Sequence, residues 1–314
     1  MVCNHLLRLM KERVMIFELI TIYRILFKTI IAFFVFSGIH STETQASTSS
    51  AVAAFDFPIA ETLIELGVSP VMVKQRSSFN FWTGNTYESS YVIETGLPGP
   101  NMELLQKVSP SRILLAPWQT SQKTRLSSVA PVNIVHSYPY TGEDDVWEHL
   151  LIFTYELGEL VDQQQQANHL VQAAKNRLNS LRERVEKDCT PMLYVQLLDE
   201  RHVRVFGENS MLNAVSQQLG LSNAWQGETN QWGYTQVSVE NLFDIEARLV
   251  IIRSYNSAGI EEQIARTALW HYLPSVQRGD VVVLPSTFWI AGGLPSALRF
   301  AESLIEALEE PTTP

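Results

Sequence analysis

The chain reads as an α/β protein of two similar lobes, with mostly parallel central sheets, joined by one long interdomain helix. Three observations predict this. Strand and helix patterns alternate along the chain, the alternation occurs twice with matching local strings, and one long amphipathic stretch separates the two occurrences. Such alternation implies parallel strands joined by crossover helices.

In the first occurrence, residues 51–55 form a short apolar strand, and residues 59–66 carry a helical pattern ended by Gly67, as a C-terminal cap requires. A strand at 71–73 precedes a polar, aromatic loop region, 74–95, containing Arg76, Phe79, Phe81, Trp82, Tyr87 and Tyr91. A helix at 101–108, a buried strand at 112–116, a third helix before Pro131 and a strand at 132–135 complete the first lobe. The second has a strand at 192–198, a helix at 211–219 ended by Gly220, and a helical piece at 240–244. A buried strand at 249–252, a helix at 261–269, a strand at 281–284 and a final helix at 295–308 follow. Leu66-Gly67-Val68-Ser69 matches Leu219-Gly220-Leu221-Ser222. Met102-Glu103-Leu104-Leu105 before Arg112-Ile113-Leu114-Leu115 matches Val239-Glu240-Asn241-Leu242 before Arg248-Leu249-Val250-Ile251. The shared order of both matches points to a duplicated α/β unit.

Between the units, Ala167, Val171, Ala174, Leu178, Leu181 and Val185 recur at steps of four and three, one apolar stripe on a helix over residues 163–187. At 1.5 Å per residue this rod is about 37 Å long. It is expected to hold two lobes at nearly fixed separation, so closure on a ligand should be limited.

Residues 1–46 read as a signal peptide: Arg8, Lys11, Arg13, Arg24 and Lys28, then an apolar run at 29–39, then a polar segment with a cut expected after Ala46. An uncleaved anchor is the alternative, opposed by Glu18, Arg24 and Lys28 interrupting residues 14–39. The expected organisation is therefore a signal peptide (1–46), an N-terminal α/β lobe (47–144), a helical connection (145–190) and a C-terminal α/β lobe (191–314), in an exported protein.

The net charge of −10 becomes −12 once residues 1–46 are removed. The scattered Lys and Arg argue against a nucleic-acid groove, since phosphate contacts need clustered cations. Cys3 leaves with the signal, so Cys189 has no disulfide partner and a Cys-based metal site is ruled out. No G-x-S-x-G, phosphate-loop, dinucleotide-binding or H-E-x-x-H motif occurs, and the seven His are dispersed, with His136 nearest the expected cleft. The chain is therefore read as a binding protein, not an enzyme.

The aromatic residues carry the functional signal. Ligands of open parallel sheets meet the loops at the carboxyl ends of strands, and those positions hold Trp118, Tyr138, Tyr255 and Trp289. The loop after Leu221 adds Trp225, Trp232 and Tyr234. An aromatic cleft with a few polar groups is the usual form of a small-molecule site.

The string Asn223-Ala224-Trp225-Gln226-Gly227-Glu228-Thr229-Asn230, followed by Trp232-Gly233, resembles the periplasmic ferric-hydroxamate (ferrichrome-type) siderophore-binding proteins of iron ABC importers. The resemblance extends through Asp199-Glu200-Arg201-His202, Val205-Phe206-Gly207-Glu208-Asn209-Ser210, Val237-Ser238-Val239 and residues 101–105, strongly in the second lobe and loosely in the first. It implies a monomeric two-lobed protein that delivers ferric hydroxamate siderophore to an inner-membrane ABC permease and its ATPase. The siderophore itself supplies the iron ligands, so no cofactor or protein metal site is implied. Carried over, Trp232 packs on the ligand, Asn230 is a nearby polar contact and Trp289 a second aromatic, with Trp118, Tyr138, Tyr234, Tyr255 and Trp82 as further candidates. Three positions depart from the family: its Arg after Gly96-Leu97 is absent, a first-lobe Tyr is replaced by Gln119 and a second-lobe Tyr by Ala291. Arg76 or Arg253 is expected to replace the missing Arg, with Arg76 favoured. Glu103 and Glu240, at equivalent places in the two units, are the expected permease-docking carboxylates, or else ordinary first-turn Glu residues. Alternatives left open are another iron chelate, haem or cobalamin, or a siderophore hydrolase with a Ser, His and acid in the cleft.

Overall fold

The computed structural model describes residues 51–73, 76–84, 93–94, 100–139, 145–185, 190–254 and 267–309. The expected signal peptide, Cys189 and most of the helix expected at 261–269 lie outside them.

The first sheet comprises β1 (Val52–Ala54), β2 (Pro70–Val73), β3 (Ile93–Glu94), β4 (Arg112–Leu115) and β5 (Val132–Ile134), in the order β3-β2-β1-β4-β5. Its pairings are all parallel, as the intervening helices α1 (Phe57–Glu65), α2 (Arg76–Trp82) and α3 (Met102–Val108) require. Where an aromatic loop was expected at 74–95, the structure has α2 and β3. Phe79, buried at the centre of α2, packs on Phe57 at 5.8 Å, and that tertiary contact favours a helix where the local pattern is ambiguous. Successive strand residues cover opposite faces. Val52, Ala54 and Leu114 meet Ile59 and Leu63 of α1, while Ala53, Ile113 and Leu115 meet Leu105 of α3 and Leu126.

The second sheet comprises β6 (Met192–Leu197), β7 (His202–Phe206), β8 (Tyr234–Ser238), β9 (Arg248–Ile252) and β10 (Val281–Leu284), in the order β10-β9-β6-β7-β8. Its β6-β9-β10 half repeats the parallel β1-β4-β5 arrangement of the first sheet. The other half differs, because β6-β7 and β7-β8 are antiparallel. Asp199 explains the change: its Oδ1 accepts hydrogen bonds from the Arg201 and His202 amides, each 2.8 Å, closing a tight turn that returns the chain beside β6. A connection this short can join only antiparallel neighbours. The helix α6 (Met211–Leu219), capped by Ser210, follows β7. The helical piece expected at 240–244 is instead a 3-10 turn, Val239–Leu242, and a second such turn spans Ala268–Tyr272.

The expected rod is α5 (Gln164–Arg182), 19 residues and about 28 Å long rather than the 37 Å expected over 163–187, because the chain leaves the helix in a turn at 183–185; Ala167, Val171, Ala174, Leu178 and Leu181 are buried as the stripe predicts. Ala167 belongs to the core of the first sheet, and Val171 to Leu181 belong to that of the second. The rod has a companion, α4 (Val146–Leu160), started by Asp145, whose Oδ1 accepts from the Trp147 and Glu148 amides. Leu150 and Leu151 lie in the second core, and Phe153 and Leu157 in the first. Two packed helices therefore bridge the sheets, a stiffer connection than one. The last helix, α7 (Leu294–Glu309), packs Phe300 edge-on against Tyr194 at 5.8 Å under the second sheet. No described helix is long and apolar enough to cross a membrane.

Candidate functional site

The carboxyl ends of β1, β4 and β10 and the start of β8 converge on a cavity of about 420 Å³. Phe55, Asp56, Phe57, Pro58, Trp118 and Gln119 line it from the first sheet's loops. Arg204, Trp232, Tyr234, Trp289, Ile290 and Ala291 line it from the second.

Three indole rings stand in the wall, those of Trp118, Trp232 and Trp289. Trp118, 47% exposed at the end of β4, stands edge-on against Trp232 at 4.9 Å across the cavity mouth. Trp289 meets Phe57 edge-on at 5.5 Å and Trp82 at 5.0 Å, so its ring is buttressed from the first lobe. Trp82 is 8% exposed and lies behind Trp289 rather than in the lining. Tyr138 plays the same part for Trp232: buried, tilted against that ring at 5.6 Å, its hydroxyl donates to the Asn209 carbonyl at 2.9 Å. Burial pushes this phenol above its ordinary range, so it stays a neutral donor.

Asn230 organises the turn that presents Trp232. Its Oδ1 accepts from the amides of Trp232 (2.9 Å) and Tyr234 (3.3 Å), and its carbonyl accepts from the amide of Gly233. Asn230 is exposed and outside the lining, and it meets the cavity only through the turn that presents Trp232.

Arg204 was not anticipated. Among the described lining residues it is the one cation. Its guanidinium lies 4.3 Å from the centre of the Tyr234 ring, and Nη1 donates to Gln196 Oε1 at 3.0 Å. The buried Nε of Arg204 and Nε2 of Gln196 have no hydrogen-bond partner among the described residues. Both atoms are sealed from the cavity, so what Arg204 brings to this wall is the positive charge of its guanidinium beside the Tyr234 ring. The sequence did carry a signal, since His-Val-Arg-Val-Phe alternates as a half-buried strand does. Arg253, the other cation considered, is exposed and outside the lining. The side chain of Arg76, and Tyr255 altogether, lie outside the described residues.

Gln119 and Ala291, two of the three departures from the ferric-hydroxamate pattern, both line the cavity. Gln119 is fully engaged: Nε2 donates to the Phe55 carbonyl at 2.8 Å and Oε1 accepts from the Ala116 amide at 2.9 Å, tying the ends of β1 and β4 together. Among the described lining residues there is no Ser, Cys or His. Nor do the described residues include a group of three or more His, Cys, Asp or Glu that could hold a metal ion.

Of the string that carries the family resemblance, Trp232 lines the cavity and residues 223–229 face elsewhere. With Asp145, Glu208, Asn209 and Asn213, residues 223 and 225–229 line a polar hollow of about 790 Å³ on the second lobe. Glu103 is exposed in the first turn of α3. Glu240 is exposed in the equivalent turn, 3.3 Å from Arg201 Nη2.

A periplasmic binding protein family model matches residues 52–287. The chain is similar to the iron(3+)-hydroxamate-binding protein FhuD of Escherichia coli (strain K12), 26% identical over 271 residues that cover 86% of this chain and 90% of that protein. Among solved structures it is similar to the Fe3+-Desferal-bound siderophore-binding protein FhuD of Vibrio cholerae, at a TM-score of 0.75 and 24% identity, covering 83% of this chain and 98% of that one. It is also similar to the petrobactin-binding protein YclQ of Bacillus subtilis, at a TM-score of 0.68 and 18% identity, covering 83% and 93% respectively. Both folds agree with the two-sheet architecture above, and the match across most of the residues from β1 to β10 places the chain in the periplasmic binding protein family.

Proposed function

We propose that the protein binds ferric hydroxamate siderophores in the aromatic cavity and, in the periplasm, hands them as a monomer to an inner-membrane ABC permease served by its ATPase. The observation that carries this reading is the pairing of three indole rings with Arg204, the one cation among the described lining residues. A ferric trihydroxamate is roughly neutral overall, with an apolar periphery and oxygens that carry negative charge around the metal. Trp118, Trp232 and Trp289 suit the periphery, and Arg204 suits the oxygens. Iron enters as cargo already ligated by the chelator. The relatives support siderophore binding, and their named ligands include Desferal and petrobactin, which differ in chemistry.

The test is a titration of intrinsic Trp emission with the iron(III) complex of desferrioxamine, metal-free desferrioxamine, a ferric citrate-hydroxamate, a ferric catecholate, haem and cobalamin. Saturable quenching by the ferric trihydroxamate alone is the expected result; quenching by haem or a ferric catecholate alone would reassign the ligand. Arg204→Gln should weaken ferric desferrioxamine binding about 10- to 100-fold, with Arg204→Lys falling between it and the wild type. Unchanged affinity would remove Arg204 from the contact set.

Glu103 and Glu240 lie in equivalent turns and offer one carboxylate per lobe to a pseudo-symmetric permease. The exposed Arg201 contact of Glu240 is worth little in water and leaves it available. Reversing both charges, Glu103→Lys with Glu240→Lys, should abolish siderophore uptake while ferric desferrioxamine binding stays at wild-type strength. Normal uptake by the double variant would overturn the docking assignment.

A further inference from the structure

Beside the cavity, a buried carboxylate of the first lobe reaches into the second. Glu61, on α1, is 1% exposed. Its Oε1 accepts from the Gly293 amide at 2.8 Å, and its Oε2 accepts from Ser296 Oγ at 2.7 Å and Arg299 Nη2 at 2.5 Å. Both partners pass the contact on. Ser296 Oγ accepts from the Trp289 amide at 3.1 Å, and Arg299 Nε donates to the Thr287 carbonyl at 2.7 Å. One carboxylate therefore reaches the loop 287–293 at three points, and that loop supplies Trp289, Ile290 and Ala291 to the cavity wall.

The approach is too close for any residue but glycine. A Cβ at Gly292 would lie 2.3 Å from Ser296 Cβ and 2.9 Å from Glu61 Oε1, and one at Gly293 would lie 2.5 Å from Thr62 Oγ1. A buried ion pair is a poor source of net stability, since packed apolar residues of similar volume serve as well. What charged hydrogen bonds add is direction. Each fixes a donor in angle and distance, which apolar packing does not.

We infer that Glu61 is a positioning residue for the cavity, a first-lobe carboxylate that fixes the loop 287–293 of the second lobe and so sets the place of the Trp289 ring. The consequence for ligand affinity rests on the siderophore reading; the placement of the ring does not. With Glu61 in place, Trp289 is held in one orientation against Phe57 and Trp82 before any ligand arrives, which lowers the ordering cost of binding.

The full chain labelled with fluorotryptophan gives a direct test by fluorine NMR. The Trp289 resonance is assigned by its loss in Trp289→Phe, and Trp225, in the polar hollow, serves as the reference. Glu61→Gln keeps the size of the side chain but turns one acceptor into a donor, and Ser296→Ala removes one relay while leaving the Glu61–Arg299 pair. In both variants the Trp289 resonance should shift or broaden while that of Trp225 stays. Ferric desferrioxamine affinity should fall about tenfold, and in a Trp289→Phe background Glu61→Gln should weaken it no further. An unmoved Trp289 resonance in both variants, or an equal affinity loss without Trp289, would overturn the inference. Failure of the wild type to bind ferric desferrioxamine would instead sink the siderophore reading, and the resonance would still decide the role of Glu61. If Glu61→Gln does not fold, Ser296→Ala carries the test.

Discussion

Gly233→Ala is expected to destabilise the protein by about 3 kcal/mol. Gly233 sits at φ +74°, a conformation that costs any residue with a Cβ. An added Cβ would lie 2.4 Å from Ser210 Cα, 2.6 Å from the Asn209 carbonyl oxygen and 2.6 Å from Ser210 N. All three are backbone atoms, so no side chain can swing aside. The turn they belong to also starts α6, since Ser210 caps that helix and the Gly207 amide donates to the Gly233 carbonyl. Relief would therefore have to displace either the helix start or the turn that carries Trp232. Urea unfolding measures the loss, and cavity binding should weaken with it because Trp232 precedes the strained residue. A variant within about 0.5 kcal/mol of the wild type would show that the two turns are not pressed together as described.

Arg299→Met should cost about 3 to 5 kcal/mol at neutral pH, because it leaves the Glu61 carboxylate buried without its counter-charge. Burial already raises the Glu61 carboxyl above the ordinary glutamate range, against the charge of Arg299 and the hydrogen bonds from Ser296, Arg299 and Gly293. Removing the Arg raises it further. A carboxyl whose native pKa lies above its unfolded value holds its proton more tightly in the folded protein. Its contribution to stability is then fully present below the ordinary value of 4.5 and is lost as pH rises through the native value. The gap between wild type and variant should therefore be small at about pH 5 and large at about pH 8. A gap that does not change with pH would show that lost packing of the Arg stem, not an unpaired Glu61, causes the destabilisation.

Much of the cavity was legible because of one rule of sheet architecture. Trp118 and Trp289 follow strands that the apolar runs 112–116 and 281–284 reveal, and the carboxyl ends of parallel strands face the cleft. Tyr138, at a strand end by the same rule, and Trp82, in the aromatic stretch 74–95, stand one layer behind, as supports for Trp232 and Trp289. Sequence position places a residue at a strand end without saying how deep its ring sits. Arg204 escaped notice because β7 was not read as a strand, and without the strand its facing was undefined. The string that signals the family divides: residues 223 and 225–229 line a separate polar hollow, while Trp232, which follows them, lines the cavity, as does Trp289.

By itself the sequence determined the parallel core of each sheet, the apolar stripe of α5 and the indoles around the cleft. These follow from periodicity and local chain order, which are properties of neighbouring residues. Only the tertiary structure decided that the outer strands of the second sheet turn antiparallel, that α4 shares the bridge with α5, and that Glu61 reaches Arg299 across 238 positions of chain. Such contacts depend on which surfaces the packed sheets bring together, and no local pattern of residues records that.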